Sequence, residues 1–278
     1  MPLPGEGIDV VACGRMVRHH PQASHRDAAA GIALAAPGSG CSGTRDFLRI
    51  FRFRRAVDLV VRSAAGRGIL IDMRIDFDPE AMDVNAFYRL LTAVVVPRPI
   101  AWVSTLSADG TANLAPHSFF TVACVEPPIV QFTSVGRKDT LVNAEATREF
   151  VVNFASEPMF EQINDTATDF PHGVDEFEAV GVERETSLRV KPPRVAGAAV
   201  ALECRVHSTL TLGNSTVVFG QVLHAAVKEE VLVDGHPEIG LLRPLSRLGK
   251  NEWGSTPVDG IRELARMRHQ DWERKHGR

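Results

Sequence analysis

The sequence predicts a mainly β protein, an antiparallel barrel or sandwich with a few peripheral helices, preceded by an N-terminal extension. Three observations predict it. Two long runs, AVALECRVHSTLTL and STVVFGQVLHAAVKEE, are joined by Gly213-Asn214 alone, which is hairpin turn chemistry. A second pair, IAWVSTLS and TANLAPHSFFTVA, flanks Asp109-Gly110 in the same way. The helical segments are too few to supply a crossover between every pair of strands, which a parallel sheet would require.

The chain divides near Met73. Residues 1–72 hold ten arginines, no lysine and six acidic residues, whereas the remaining 206 residues carry 21 basic and 28 acidic ones. The early part is rich in Gly and Ala and sustains no period of 2 or 3.6. It reads as an extension from a start upstream of the true one at Met73, with a disordered native tail and a transit-type peptide as the other readings. The Arg-rich segment FLRIFRFRRAVDLVVRSAAGRG motivates the last of these. Residues 73–250 are expected to form one domain and residues 251–278 a helical tail.

The elements of that domain follow in order. RIDFDPEAMDVNAFYRLLTAVV opens on an acidic turn and sets Val84, Phe87, Leu90 and Leu91 on one helical face, with Asp83 as the cap. Pro97 and Pro99 end that helix, and IAWVSTLS is a strand. The run TANLAPHSFFTVA reads as its hairpin partner. Glu126-Pro127-Pro128 is a turn, IVQFTS a strand, KDTLVNAEATREF a helix of about three turns, and EFVVNFA a strand. Pro158 opens a further helix, PMFEQINDTATDF, and the long Gly213-Asn214 hairpin completes the set.

Composition narrows the function classes. A net charge of -3 gives no electrostatic footprint for nucleic acid. Cys13, Cys41, Cys124 and Cys204 show neither CxxC spacing nor a disulfide-dense pattern, so no metal site is expected and a cytoplasmic compartment is. No apolar run approaches the roughly 18 residues of a spanning helix, so no membrane partner is expected either. Gly38, Gly40 and Gly43 with Asp58 imitate a dinucleotide fingerprint, but Asp58 precedes its apolar run and PGSGCSG is a flexible loop.

The chemistry lies in residues 97–140. Ser104, Thr105, Asn113, Ser118, Thr133 and Ser134 fall where strands end, and Ala115 and Pro116 leave room for a planar polar ring to approach the backbone. Arg137, Lys138, Asp139 and Thr140 stand at a helix start, where free N–H groups, the dipole and two cations favour a phosphate. Each residue also has a plain structural reading: strand hydroxyls are commonly surface residues, and Asp139 could simply cap its helix.

The segments PRPIAWVSTLSADGTANLAPHSFF, EPPIVQFTSVGRKDTLVNAEATREFVVN, DEFEAVGV, KPPRVAGAAVALECRVH and GNSTVVFGQVLH, in this order, resemble the flavin reductase-like family of FMN-binding split barrels. The resemblance covers about residues 75–250. It implies a six-stranded split β-barrel, a homodimer, and FMN rather than FAD in a cleft near the subunit interface. It further implies that Ser104, Thr105, Asn113, Leu114, Ala115 and Pro116 line the ring and ribityl chain. Ser118, Ser134, Lys138, Asp139 and Thr140, with Arg137, would surround the ribityl and phosphate. Of Phe119 and Phe120, one would pack in the core and one touch the ring edge, while His117 stays open between a structural and a catalytic role. NAD(P)H would be the co-substrate, stacking transiently on the flavin beneath residues 169–177 and the RLGKNEWG segment, with Trp253 over the partner's site. Reduced flavin would serve a separate monooxygenase; the alternative is an FMN electron carrier or store without NAD(P)H oxidation.

Overall fold

The computed structural model describes residues 9–12, 59–62, 68–70, 74–256, 258–262, 264 and 266–276. The Gly-rich segment 38–43 and most of the Arg-rich segment lie outside them. By its internal contacts the chain forms two units, Met1–Phe77 and Asp78–Arg278. In the first, the short strands Asp9–Ala12, Leu59–Arg62 and Gly68–Leu70 pair antiparallel in that order.

The second unit is built on one seven-stranded sheet. Its strands are β1 (Ala101–Leu106), β2 (Ala112–His117), β3 (Phe120–Cys124), β4 (Ile129–Val135), β5 (Glu149–Phe154), β6 (Val200–Leu212) and β7 (Ser215–Val227). They lie in the order β2-β1-β5-β6-β7-β4-β3, every pair antiparallel. Both predicted hairpins are present: Ser104 faces Leu114 across the first, and Leu212 faces Ser215 across the second. Gly213 takes φ +59° at the second turn, a left-handed conformation that glycine adopts without steric cost.

The run 111–123, expected to be one strand, is two. The chain leaves β2 after His117 and restarts as β3 at Phe120, so consecutive strands occupy opposite edges of the sheet. The Thr133 amide of β4 donates to Phe119 O at 2.9 Å across this break. That is the split-barrel arrangement, with seven strands where six were expected.

Alternation along β1 explains how the sheet is covered. Val103 points inward to Phe132, Leu141, Phe150 and Val218, while Trp102 points outward to Leu114, Ile163 and Phe177. The outer layer consists of α3 (Phe160–Asp165) and α4 (Glu176–Val180), and α2 (Asp139–Thr147) rests on β1 and β2. Because both faces are covered, β1 is buried at five consecutive positions. One position in β7 must be glycine for packing reasons: a Cβ on Gly220 would stand 2.1 Å from Cζ of Phe150.

Helix α1 (Val84–Val94) has Asp83 as its cap, accepting from the Ala86 amide at 3.0 Å, as the sequence predicts. Buried Arg98 closes its other end by donating to Val95 O at 3.0 Å, to Thr92 O and, at 2.8 Å, to Leu248 O. The helix expected at 158–170 is a 3-10 turn, Glu157–Met159, followed by the short α3. The tail expected to begin at residue 251 starts instead with β9 (Trp253–Ser255), which pairs with β8 (Leu245–Arg247). Its helix, His269–His276, comes later.

Candidate functional site

A cavity of about 440 Å3 opens where β2 ends and α2 begins. β2 and the break after it supply Asn113, Ala115, Pro116, His117, Ser118 and Phe119; β4 supplies Thr133 and Val135. The start of α2 contributes Arg137, Lys138, Asp139 and Thr140. Residues 166–170 complete the lining, together with Tyr88 from α1 and Glu176 from α4.

Of the residues expected from the sequence, Asn113, Ala115, Pro116, Ser118, Phe119 and Arg137 to Thr140 line this cavity. Ser104, Thr105, Leu114 and Ser134 do not line the cavity, because burial has committed them elsewhere. The Ser104 hydroxyl donates to Pro193 O at 2.5 Å, Thr105 Oγ1 accepts from Asn143 Nδ2 at 3.2 Å, and Ser134 Oγ donates to Gly136 O at 2.9 Å. Leu114 packs in the outer core cluster. These residues hold the wall from behind. Asn113 joins wall to rim, its Nδ2 donating to Thr140 Oγ1 at 3.0 Å.

Asp139 has a different role from the cap the sequence allowed. Lys138 occupies the N-cap position without a side-chain bond, and Asp139 stands in the first turn. Its Oδ2 accepts from the Gly173 amide at 3.1 Å and its Oδ1 lies 2.5 Å from His172 Nδ1, so its carboxylate ties down the loop above the cavity. A carboxylate so engaged cannot bind a phosphate, although its charge at a helix start is favourable. Arg137 is paired with Glu145 at 2.8 Å. Lys138 has no carboxylate partner among the described residues and is the cation left to meet an anion.

His117 is the most unusual wall residue. It is 9% exposed, its ring lies against Phe132 at 4.8 Å between centroids, and its Nε2 is buried without a hydrogen-bond partner. Burial pushes its pKa down to about 4; a Thr133 backbone hydrogen bond opposes this and the Lys138 charge adds to it. The imidazole is therefore neutral at ordinary pH, with an unpaired nitrogen in the wall of a cavity.

Sequence reasoning missed Tyr88, Thr166 and Glu176. Thr166 is fixed by Trp102, whose Nε1 donates to its Oγ1 at 2.9 Å. Glu176 is buried, and its Oε2 accepts from the Leu114 amide at 2.8 Å, satisfying the open edge of β2. Burial raises its pKa; the bonds from the Leu114 and Glu176 amides lower it, and Asp139 and Asp175 raise it further. The signal was an acid after Asp175, which caps α4 from outside, leaving Glu176 to face inward. Within its own chain, Trp253 lies away from this cavity, 5.1 Å edge-on to Phe160 and beneath Arg247 at 4.7 Å. Among the described residues no group of three or more His, Cys, Asp or Glu could hold a metal, and no helix is long and apolar enough to cross a membrane.

Residues 93–239 match the family model described as flavin reductase like domain. An uncharacterized protein from Deinococcus radiodurans is 37% identical over 209 residues, 71% of this chain and 92% of that one. One from Aquifex aeolicus is 40% identical over 181 residues, 63% of this chain and 92% of the other. Among solved structures, nitrilotriacetate monooxygenase component B from Bacillus cereus superimposes with a TM-score of 0.67 at 28% identity, covering 70% of this chain and 100% of that one. Pseudomonas fluorescens 2-nitrobenzoate 2-nitroreductase gives 0.65 at 29%, covering 69% and 96%.

Proposed function

The chain belongs to the flavin reductase-like domain family of split-barrel proteins, and on that premise we propose that it binds FMN in the cavity and oxidises NAD(P)H as a homodimer. The observation that carries this reading is a juxtaposition in one cavity: a neutral, unpaired imidazole nitrogen in a close-packed wall, and an unpaired lysine at a helix start.

The residues present fit such a cofactor. His117 Nε2 needs a partner that no described residue supplies, and a ring with donor and acceptor edges offers one. The first turn of α2 and Lys138 suit a phosphate and would hold it, favouring FMN. Asn113, Ala115 and Pro116 leave the wall shallow enough for a planar group, with Phe119 at its side. Residues 166–170, which also line the cavity, would help exclude water once it is filled. Bound flavin supplies hydride acceptance and two-electron transfer. The protein's contribution is binding and orientation, so we assign no acid-base catalyst for the hydride step. The described strands of the second unit contain no parallel pair, hence no dinucleotide-binding βαβ unit, and the nicotinamide would stack transiently on the flavin. The monooxygenase component named above supports a role in supplying reduced flavin to a separate oxygenase.

Purified protein is expected to be yellow, or to turn yellow with added FMN, and to bleach with NADH or NADPH under nitrogen. Yellow protein indifferent to both nicotinamides would favour an electron carrier. Colourless protein that does not take up FMN would refute both readings.

A further inference from the structure

Glu176 is a buried carboxyl that the hydride step does not use, yet it forms part of the cavity lining. Oε2 accepts from the Leu114 amide at 2.8 Å, and the Glu176 amide also bonds the carboxyl. A carboxylate in a cavity wall loses solvation when the cavity fills, whereas the neutral acid keeps its bond to the Leu114 amide and gains an O–H to donate to whatever fills the cavity. The surrounding charges favour the protonated form. Asp139, bonded to His172, and Asp175, bonded to Arg184, both disfavour the anion, and His117 is neutral. Lys138 is the cation left to oppose them, and Arg137 is already paired with Glu145. A ligand that seals the cavity removes the remaining water and strengthens the same preference.

We propose that Glu176 makes capture of a planar, hydrogen-bond-accepting ring proton-linked: one proton is taken from solvent on binding, and the neutral acid donates to the ring. This rests on the flavin reading of the cavity. Glutamine at the same position imitates the neutral acid, since its carbonyl can still accept from the Leu114 amide while its NH2 group donates at every pH.

The test titrates FMN into the full-length protein between pH 6 and pH 8.5, following flavin fluorescence and, by calorimetry, the heat in two buffers of different ionisation enthalpy. The phosphate of FMN titrates alike with both proteins, so the ratio of their affinities isolates Glu176. The affinity of Glu176→Gln relative to wild type is expected to rise with pH, by up to about tenfold per pH unit, with about one fewer proton taken up by the variant on the alkaline side. Glu176→Leu, which cannot donate, is expected to bind more weakly than Glu176→Gln at every pH. A ratio that stays flat with pH, or equal proton uptake by wild type and Glu176→Gln, overturns the inference and leaves the flavin reading intact. Failure of wild type to bind FMN at any pH overturns the flavin reading, and the inference with it.

Discussion

The wall and the rim of the cavity are made differently. The wall, from β2, β4 and α4, is mostly buried or half-buried, and Asn113 and Glu176 are fixed in it by Thr140 and the Leu114 amide, while His117 Nε2 has no partner among the described residues. The rim, from the start of α2 and the 172–173 loop bonded to it, is largely exposed and held by the Arg137–Glu145 ion pair and the Asp139–His172 hydrogen bond. The wall therefore derives its shape from the core, and disturbing it costs stability. The rim derives its effect from charge in water, and disturbing it costs affinity alone.

The strongest way to break this distinction is to strain the core behind the wall without touching the cavity. In Gly220→Ala the new Cβ would stand 2.1 Å from Phe150, which packs on Phe132 at 5.3 Å, which in turn supports His117 at 4.8 Å. A loss of about 3 kcal/mol in urea unfolding is expected, with weakened FMN binding. An unchanged midpoint would show that the wall does not depend on this stack.

The second test uses pH. His117 has a folded-state pKa of about 4 against an ordinary 6.5, so between these values the unfolded chain binds the extra proton. Its contribution is therefore intact above pH 6.5 and is lost as pH falls toward 4, amounting to about 2 kcal/mol between pH 7 and pH 5. His117→Asn should flatten that part of the stability curve, measured by urea unfolding at both pH values. An equally steep acid limb in the variant would place the titration elsewhere.

The smallest effect belongs to the rim. Lys138→Ala should leave the unfolding midpoint unchanged and weaken FMN about tenfold, while riboflavin, which lacks the phosphate, binds as before. Equal losses for the two ligands would mean that Lys138 does not meet the phosphate.

Much of this was legible in the sequence, for local reasons. Gly213-Asn214 and Asp109-Gly110 announce turns by their chemistry, and Asp83 announces a cap, so hairpins and helix start could be read directly. The break at Ser118 and Phe119 could not, because TANLAPHSFFTVA has no Gly, Pro, Asn or Asp where the strand changes edge; the pairing of Phe119 O with Thr133 decides it. The site residues divided the same way. Asn113, Ala115, Pro116, His117, Ser118, Phe119 and the α2 start are local to the cavity. Ser104, Thr105 and Ser134 are equally polar in sequence, but the hydroxyls of Ser104 and Thr105 are claimed by partners distant in the chain and that of Ser134 by Gly136 O two residues on. Glu176 was hidden for the converse reason: its partner, the Leu114 amide, is 62 positions away.

The break between β2 and β3 also bears on when the cavity comes into being. Two strands separated by only Ser118 and Phe119 reach each other hydrogen bond by hydrogen bond only through all five other strands, so this seam cannot form as an early local hairpin. Part of the binding wall is the seam itself. A ligand seated there senses completion of the whole barrel, and its binding energy is expected to protect distant β6 and β7 amides from hydrogen exchange as fully as those beside it.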